Sequence, residues 1–218
     1  MSPVVPLPDR GRLKRYIKTN LTTAINPSIA FLANMSRQKT YAKHLGCWPF
    51  EQAPSKILLV RFDLLGDTAL SLPLAFDLKQ TFPESSIVFA TSPTLSPLVQ
   101  MCPYIDEVLT FDAPSLTHLQ TNWQPSRWRE AYRFLSELRI RNFDLAISLY
   151  GPLSGTLVGL CGSRWRVGFA GEASSSNFDY SMPGGRGLTT KHEVDWVRQL
   201  GGRPGARIPA DLISTGDP

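Results

Sequence analysis

Residues 56–73, KILLVRFDLLGDTALSLP, decide the fold of this 218-residue chain. The apolar run ILLV is followed by Arg61 and Asp63, and then by Gly66 and Asp67 ahead of a second apolar segment. A short β-rich run that leads through turn residues into helical periodicity predicts a strand, a loop and a helix. Such a junction places the loop at the carboxyl edge of a parallel sheet, where open α/β sheets bind their ligands. An arginine and two carboxylates at that edge indicate chemistry rather than packing.

The same alternation of strand and helix continues along the chain. Predicted strands cover 57–62, 86–90, 107–111, 144–149 and 166–169. Predicted helices run from the first loop to about residue 80 and over 94–101, 127–141, 154–161 and 192–200. Strands separated by helices of this size predict an α/β fold, a Rossmann-like parallel sheet with helices on both faces. Residues 171–187 are rich in Gly and Ser and are predicted to be a loop.

Composition divides the chain into three parts. Residues 1–50 are interpreted as a basic amino-terminal arm with weak helices near 10–22 and 27–43, and 51–202 as the Rossmann-like domain. Residues 203–218 resemble a linker toward an absent domain. Within 1–44 there are eight Lys or Arg and one Asp, a net charge of +7, whereas 45–218 carry 15 basic and 17 acidic residues. The domain itself is therefore slightly acidic, which gives no support to nucleic-acid binding.

Cysteine and histidine usage argues against metal or disulfide chemistry. Cys47, Cys102 and Cys161 are odd in number and widely spaced, as expected of small buried apolar groups in a reducing cytosol. His44, although Cys47 lies three residues after it, and His118 belong to no cluster of ligands with metal-type spacing, so no metal site is predicted. No cleavable signal peptide is recognisable, and the uncharged stretch 145–163 is interpreted as buried core because a Gly-Pro pair divides it.

The stretch 56–73 resembles the amino-terminal motif of the family 9 glycosyltransferases, the heptosyltransferases that build lipopolysaccharide core. In that family, the first strand enters an Arg-x-Asp-x-(Leu/Ile)-Gly-Asp loop, followed by an apolar segment with a proline. The matching residues here are Arg61, Asp63, Leu65, Gly66, Asp67 and Pro73. Later segments match in the family's order, namely Pro103-Tyr104-x-Asp106-x-Val108, Asn142-Phe143-Asp144, Arg166-Val167-Gly168-Phe169 and His192-Glu193-Val194.

The resemblance covers about residues 56–202 and implies the acceptor-side half of a GT-B-type inverting glycosyltransferase. It implies that Asp67 is the general base that deprotonates the acceptor hydroxyl. Asp67 has a second interpretation from its position alone, as an ordinary helix N-cap. Family members continue into a second domain that holds the nucleotide sugar, so this chain is expected to be incomplete and inactive alone.

Two further loop residues have functional and structural interpretations. Arg61 could bind a carboxylate or phosphate of an anionic acceptor, or it could pair structurally with Asp63 or Asp67. Asp63 could contact the acceptor or only orient the arginine. Gly66 is expected to allow a close backbone approach. The loop has no GxGxxG and no P-loop pattern, so it is not a dinucleotide or P-loop fingerprint.

Three downstream residues complete the candidate acceptor site. Tyr150 and Gly151 follow the fourth predicted strand, where relatives often carry Asp-x-Gln-Gly or Asp-x-Arg-Gly, so this chain departs from the pattern. Tyr150 could stack on a sugar or pack the strand end. Arg166 could bind acceptor phosphates or lie at a solvated strand edge.

The resemblance also implies the partners. The acceptor is expected to be a lipid-linked or anionic glycan, and the donor a nucleotide sugar such as ADP-heptose, with no separate cofactor. The expected location is the cytoplasm, with possible attachment to the inner face of the cytoplasmic membrane. Two other hypotheses stay open: a non-catalytic acceptor-binding or scaffold module, and an α/β nucleotide-binding protein unrelated to sugar transfer.

The basic arm gives a first testable prediction. Lys and Arg beside Ile29, Phe31 and Leu32 suit a segment that binds anionic lipid, at about 1 kcal/mol per basic residue near the surface. We expect the chain to co-sediment with anionic liposomes and to dissociate as salt is raised. Sedimentation that responds neither to anionic lipid nor to salt would favour a self-packed or flexible extension instead.

Overall fold

The computed structural model describes residues 53–112, 125–169, 177–182 and 192–200. Within these residues, six parallel strands form one sheet in the order β3-β2-β1-β4-β5-β6. Their bounds are β1 Lys56–Val60, β2 Ser86–Thr91, β3 Glu107–Thr110, β4 Leu145–Ser148, β5 Trp165–Phe169 and β6 Tyr180–Met182. This is the strand order of doubly wound Rossmann sheets. The predicted fold class is confirmed.

Helices connect the strands and cover both faces of the sheet. They are α1 Leu65–Ala69, α2 Pro73–Thr81, α3 Ser96–Gln100, α4 Pro125–Ile140, α5 Pro152–Leu160 and α6 Glu193–Gln199. One core cluster contains buried residues of α2, α3 and α6 under one face, and a second contains those of α4 and α5 under the other. The stretch 145–163 forms β4 and α5, as expected of buried core. The predicted helices near 10–22 and 27–43 and the predicted linker at 203–218 lie outside the described residues.

The prediction of a single helix after β1 is wrong in one respect, because two short helices, α1 and α2, follow the strand. Pro73 has no N–H to donate, which suits the first position of a helix, and it begins α2 although the backbone of Leu72 before it is already helical (φ −62°, ψ −35°). Between the two helices, Ser71 N donates to Thr68 O and Leu72 N to Ala69 O, which are tight three-residue turns. The break returns the chain to the sheet and leaves α1 as a separate turn beside the end of β1.

The prediction of an unbroken loop over 171–187 is also wrong. Tyr180–Met182 form β6, which pairs with β5 in parallel register. Asp179 fixes this pairing, because its carboxylate accepts from the backbone N–H of Arg166 at 3.0 Å. A three-residue strand among Gly and Ser carries no periodic signal, so the sequence did not indicate it.

Parallel strands on both sides of β1 create a topological switch point. The chain moves from β1 to β2 on one side and returns to place β4 on the other. Connections therefore leave in opposite directions from the carboxyl ends of β1 and β4, and a crevice is expected there. Val60 pairs with Ser148, so both strands end at the same level. The segments that follow them, 61–64 before α1 and 149–151 before α5, are neighbours.

The packing between β5 and β6 gives a stability prediction. A Cβ added at Gly168 would lie 2.2 Å from Cε2 of Phe178, a ring packed on the core. We expect Gly168→Ala to lower the free energy of unfolding by about 1–3 kcal/mol, because the ring must move.

Gly66→Ala is the matched control in urea unfolding. A Cβ at Gly66 would meet no described atom within 4 Å, and alanine suits a helical position better than glycine. Its stability is expected to be unchanged or higher. Equal losses in the two variants would show that the Phe178 contact is not the cause.

Candidate functional site

Arg61 is the first residue after β1, and its side chain turns inward. Ile57 and Leu59 belong to the core cluster on one face of the sheet, and strand alternation directs Arg61 to that same face. The residue is 0% exposed. A buried guanidinium requires hydrogen-bonded and charged partners, because an unpaired buried charge is strongly unfavourable.

Two carboxylates and a hydroxyl accept from this guanidinium. Its Nε lies 2.6 Å from Oδ1 of Asp63, and its Nη2 lies 2.9 Å from Oδ2 of the same carboxylate. Nη2 also lies 3.1 Å from Oε1 of Glu193, at the start of α6. Nη1 donates to Oγ of Ser71 at 2.5 Å. Bidentate pairing with Asp63 is the strong geometry for an arginine.

Of the two interpretations of Arg61, the structure shows structural pairing with Asp63, which orients the guanidinium. Pairing with Glu193 and Ser71 was not foreseen. Contact of Arg61 or Asp63 with an acceptor stays a prediction. Asp63 keeps 23% of its side chain exposed, so its outer surface reaches solvent while its oxygens bind the arginine.

Asp67 lies in the first turn of α1 and is partly exposed. The alternative that it caps the helix is wrong, because Leu64 occupies the N-cap position and makes no side-chain cap bond. A carboxylate in the first turn is stabilised in its charged form by the helix dipole. The backbone carbonyl of Asp67 accepts from Oγ of Ser71 at 2.9 Å. The residue is thus accessible at the carboxyl edge of the sheet and tied through its backbone to the Arg61 network.

Gly66 precedes Asp67 and is open on its outer side. A Cβ added there would meet no described atom within 4 Å. The described part of the protein therefore does not approach Gly66 closely, although the sequence had led us to expect a close backbone approach. Approach of a ligand to Gly66 stays a prediction. Leu64 and Leu65, 72% and 59% exposed, form an apolar rim beside it.

Tyr150 and Gly151 come from the neighbouring loop. Leu149 N donates to Val60 O at 3.1 Å, which holds the end of β4 against the end of β1. The Tyr150 ring centroid lies 5.9 Å from Cζ of Arg61, within cation–π distance. Gly151 adopts φ +93°, which favours glycine, and is the N-cap of α5. The structure thus brings Tyr150 and Gly151 beside the Arg61 loop, and sugar binding by Tyr150 stays a prediction.

Arg166 is not brought to this edge. It pairs with Ala146 near the beginning of β5 and is 8% exposed, so the alternative of a solvated strand edge is wrong. Its Nε and Nη2 bind the two oxygens of Asp179 at 3.0 and 2.9 Å, and Nη1 donates to Gly159 O. Binding of acceptor phosphates by Arg166 stays a prediction. The pairing of its guanidinium with Asp179 does not favour that role.

The last helix brings a carboxylate that the sequence argument missed. Glu193 was noted only as part of the segment that opens α6, yet it contacts Arg61 across 132 positions. At the other end of α6, Arg198 Nε and Nη2 bind Asp77 of α2 at 2.6 and 2.7 Å. The hydrogen bond to Asp77 raises the pKa of Arg198 above its usual value. No sequence signal could have found pairs this distant in one chain.

The part of the chain described contains no cluster of three or more His, Cys, Asp or Glu suited to a metal ion. It also contains no helix long and apolar enough to span a membrane. Cys102 and Cys161 are free and buried, as expected, and burial raises the pKa of the Cys161 thiol. Cys47 lies outside the described residues.

Several solved structures that share this fold are glycosyltransferases. Escherichia coli heptosyltransferase WaaC with ADP-2-deoxy-2-fluoro heptose matches at a TM-score of 0.60 and 18% identity, over 70% of this chain and 50% of that one. E. coli ADP-heptose lps heptosyltransferase II matches at 0.53 and 19%, over 69% and 41%. A family 9 glycosyl transferase from Veillonella parvula matches at 0.53 and 18%, over 67% and 40%.

These likenesses show a glycosyltransferase-like fold shared with GT-B enzymes. The chain spans half or less of the length of the three matched structures. No family model and no curated protein sequence matched.

The buried network gives a second stability prediction. Arg61→Met removes the charge that Asp63 and Glu193 face, so two carboxylates are left close together without their cation. We expect a loss of about 3–5 kcal/mol in the free energy of unfolding, measured by urea at neutral pH.

Arg141→Met is the matched control, because Arg141 also binds two carboxylates, Glu107 and Glu137, but on a more exposed surface. Exposed pairs contribute about 0–1 kcal/mol, so its loss should be small. Similar losses in the two variants would contradict the importance assigned to burial of the Arg61 network.

Proposed function

We propose that this chain is the acceptor-side half of an inverting, heptosyltransferase-like glycosyltransferase that acts in lipopolysaccharide core or related surface glycan synthesis. The observation that carries the proposal is the position of Asp67. It is a partly exposed carboxylate in the first turn of α1, at the switch point of a sheet whose structural neighbours are heptosyltransferases. Open α/β sheets bind their ligands at this place.

Asp67 acts as the general base in this proposal. Its carboxylate accepts the proton of an acceptor hydroxyl as the hydroxyl oxygen attacks the anomeric carbon of the donor. The bond between that carbon and the diphosphate oxygen breaks on the opposite face, and the nucleoside diphosphate leaves with the bonding electrons. Attack opposite the leaving group inverts the anomeric configuration. Helix α1 favours the ionised carboxylate before the transfer.

The neighbouring residues shape the acceptor side of the crevice. Tyr150 is partly exposed beside the segment after β1, and a Cβ added at Gly151 would meet no described atom within 4 Å. Aromatic rings next to hydrogen-bonding groups suit sugar recognition. Leu64 and Leu65 add apolar surface at the same edge, which suits the lipid-linked acceptor that the proposal assigns.

The donor is proposed to be ADP-heptose or another nucleotide sugar. One matched E. coli WaaC structure contains ADP-2-deoxy-2-fluoro heptose and another contains ADP. This chain covers 50% of the first structure and 46% of the second. The residues that bind the nucleotide are assigned to a second domain outside these 218 residues. The proposed location is the cytoplasmic face of the inner membrane, reached through the basic arm at 1–44 with its net charge of +7.

One observation favours a second candidate function. Because the chain covers half or less of the enzymes it matches, it would serve as an acceptor-binding module if no donor domain acts with it. Glycan binding without turnover that is unchanged in Asp67→Asn would support that module. Calorimetric binding of ADP or NAD by this chain would instead favour a nucleotide-binding protein.

A transfer assay tests the assignment of Asp67. Wild type, Asp67→Asn and Asp67→Ala are compared with ADP-heptose and a lipopolysaccharide core acceptor, in the chain alone and joined to a donor-binding domain. We expect both variants to lose about 10²–10⁴-fold in kcat, because general-base catalysis contributes that much.

Glu84→Gln is the control. It removes one negative charge from an exposed turn before β2, at the opposite edge of the sheet. Its kcat should equal that of the wild type. If Asp67→Asn also retains wild-type kcat, another group is the base and the assignment fails.

A further inference from the structure

A continuous chain of hydrogen bonds joins the last helix to the turn that carries Asp67. It begins at Oε1 of Glu193, 3.1 Å from Nη2 of Arg61, and passes from Nη1 of Arg61 to Oγ of Ser71 at 2.5 Å. Ser71 then donates to the backbone carbonyl of Asp67 at 2.9 Å. Three side chains therefore connect α6 with α1.

We propose that Glu193 and Arg61 are positioning residues that fix the α1 turn, and with it the Asp67 carboxylate. The functional part of this inference rests on the proposed role of Asp67 as the base. The mechanical part, coupling between α6 and α1, does not depend on it.

The chemistry of Ser71 gives the connection a single direction. A guanidinium has only donors, so Arg61 must donate and the Ser71 oxygen must accept. The only proton of the hydroxyl is then free for the carbonyl of Asp67. Loss of the arginine releases the hydroxyl to rotate, and the carbonyl loses a fixed donor.

Helix α1 needs this external support. It has five residues, too few for a helix to be stable in water by itself, and its N-cap position makes no side-chain bond. At its end, Ser71 N donates to Thr68 O, and the Ser71 hydroxyl donates to the carbonyl of Asp67 at 2.9 Å. The position of α1 thus depends on groups outside the helix.

Glu193 contributes what the local partners do not. Asp63 and Ser71 lie within 10 positions of Arg61, whereas Glu193 belongs to a helix 132 positions away. Helix α6 is held independently, because Trp196 and Val197 are buried in the core and Arg198 binds Asp77. Glu193 therefore ties the network at the end of β1 to a helix that packs on the core through its own contacts. Its charge also suits the amino terminus of a helix.

Amide hydrogen exchange of the 218-residue chain, measured by NMR, tests the coupling. In Glu193→Ala, we expect the amides of Thr68 in α1 and of Leu70 at its C-cap to exchange about tenfold faster, because a charged hydrogen bond to Arg61 is lost. The amides of Leu59 and Val60 in β1 should exchange as in the wild type. Glu193→Gln keeps an acceptor oxygen and should give a smaller acceleration.

Asp77→Ala is the matched control. It breaks a second ion pair of α6, at similar burial, that joins α6 to α2. The α1 amides should keep their wild-type rates within about twofold. The coupling is wrong if Glu193→Ala leaves the α1 rates unchanged, if it accelerates β1 equally, or if Asp77→Ala has the same effect on α1.

A kinetic measurement separates this inference from the proposed function. In an active two-domain enzyme, Glu193→Ala should lower kcat at unchanged KM for the donor, with partial recovery in Glu193→Gln. If the exchange result holds but the wild type transfers no sugar, the proposed function fails and the coupling stands. If Asp67→Asn abolishes transfer while Glu193→Ala changes neither kcat nor exchange, the positioning role fails and the proposed function stands.

Discussion

The buried guanidinium of Arg61 is the constraint on which the candidate site depends. A cation with 0% exposure at the end of the central strand is stable only when its partners replace the water it has lost. Asp63, Glu193 and Ser71 supply those partners, and each comes from a different part of the chain. Satisfying one side chain therefore fixes the loop after β1, the turn between α1 and α2, and the start of α6. Burial of a lone charge would be costly, but burial of Arg61 with these partners specifies how the three segments are arranged.

The same short loop serves two opposite purposes. Arg61 leaves β1 toward the core face, whereas Asp67, six residues later, lies partly exposed in α1. The turn into α1 separates the structural charge from the one assigned to catalysis. Tyr150 and Gly151 are adjacent because β4 ends at the level of β1, which is a property of the strand order. A Rossmann sheet with this strand order thus provides the location, and the Arg61 network provides the geometry within it.

Much of the fold was predictable because strong local signals decide it. The buried strands β1, β2 and β4 are continuous apolar runs, and the helices between them require a parallel sheet. The positions of Asp67, Tyr150 and Gly151 at one edge followed from strand ends alone. The division of the first helix at Pro73 was missed although the proline is visible in the sequence, and the short strand β6 was missed because three residues carry no periodic signal.

The partners of the buried charges could not be predicted. Whether Arg61 faces a ligand or the core depends on Glu193, and Arg166 depends on Asp179, pairs that form only once the sheet is assembled. A sequence shows that an arginine follows a strand but not which carboxylate will reach it. The wrong alternative for Arg166, a solvated strand edge, arose from this limit. The wrong N-cap alternative for Asp67 has a local cause, because the helix begins two residues earlier, at Leu65.

The most direct test of the central claim is a double-mutant cycle between Arg61 and Glu193, measured as free energy of unfolding in urea. Arg61→Met, Glu193→Gln and the double variant are compared with the wild type. A contacting buried pair should show a coupling energy of about 1–3 kcal/mol, so that the second substitution costs much less once the first is present. Effects that add within about 0.5 kcal/mol would contradict the account, because α6 and the Asp67 loop would then be energetically independent.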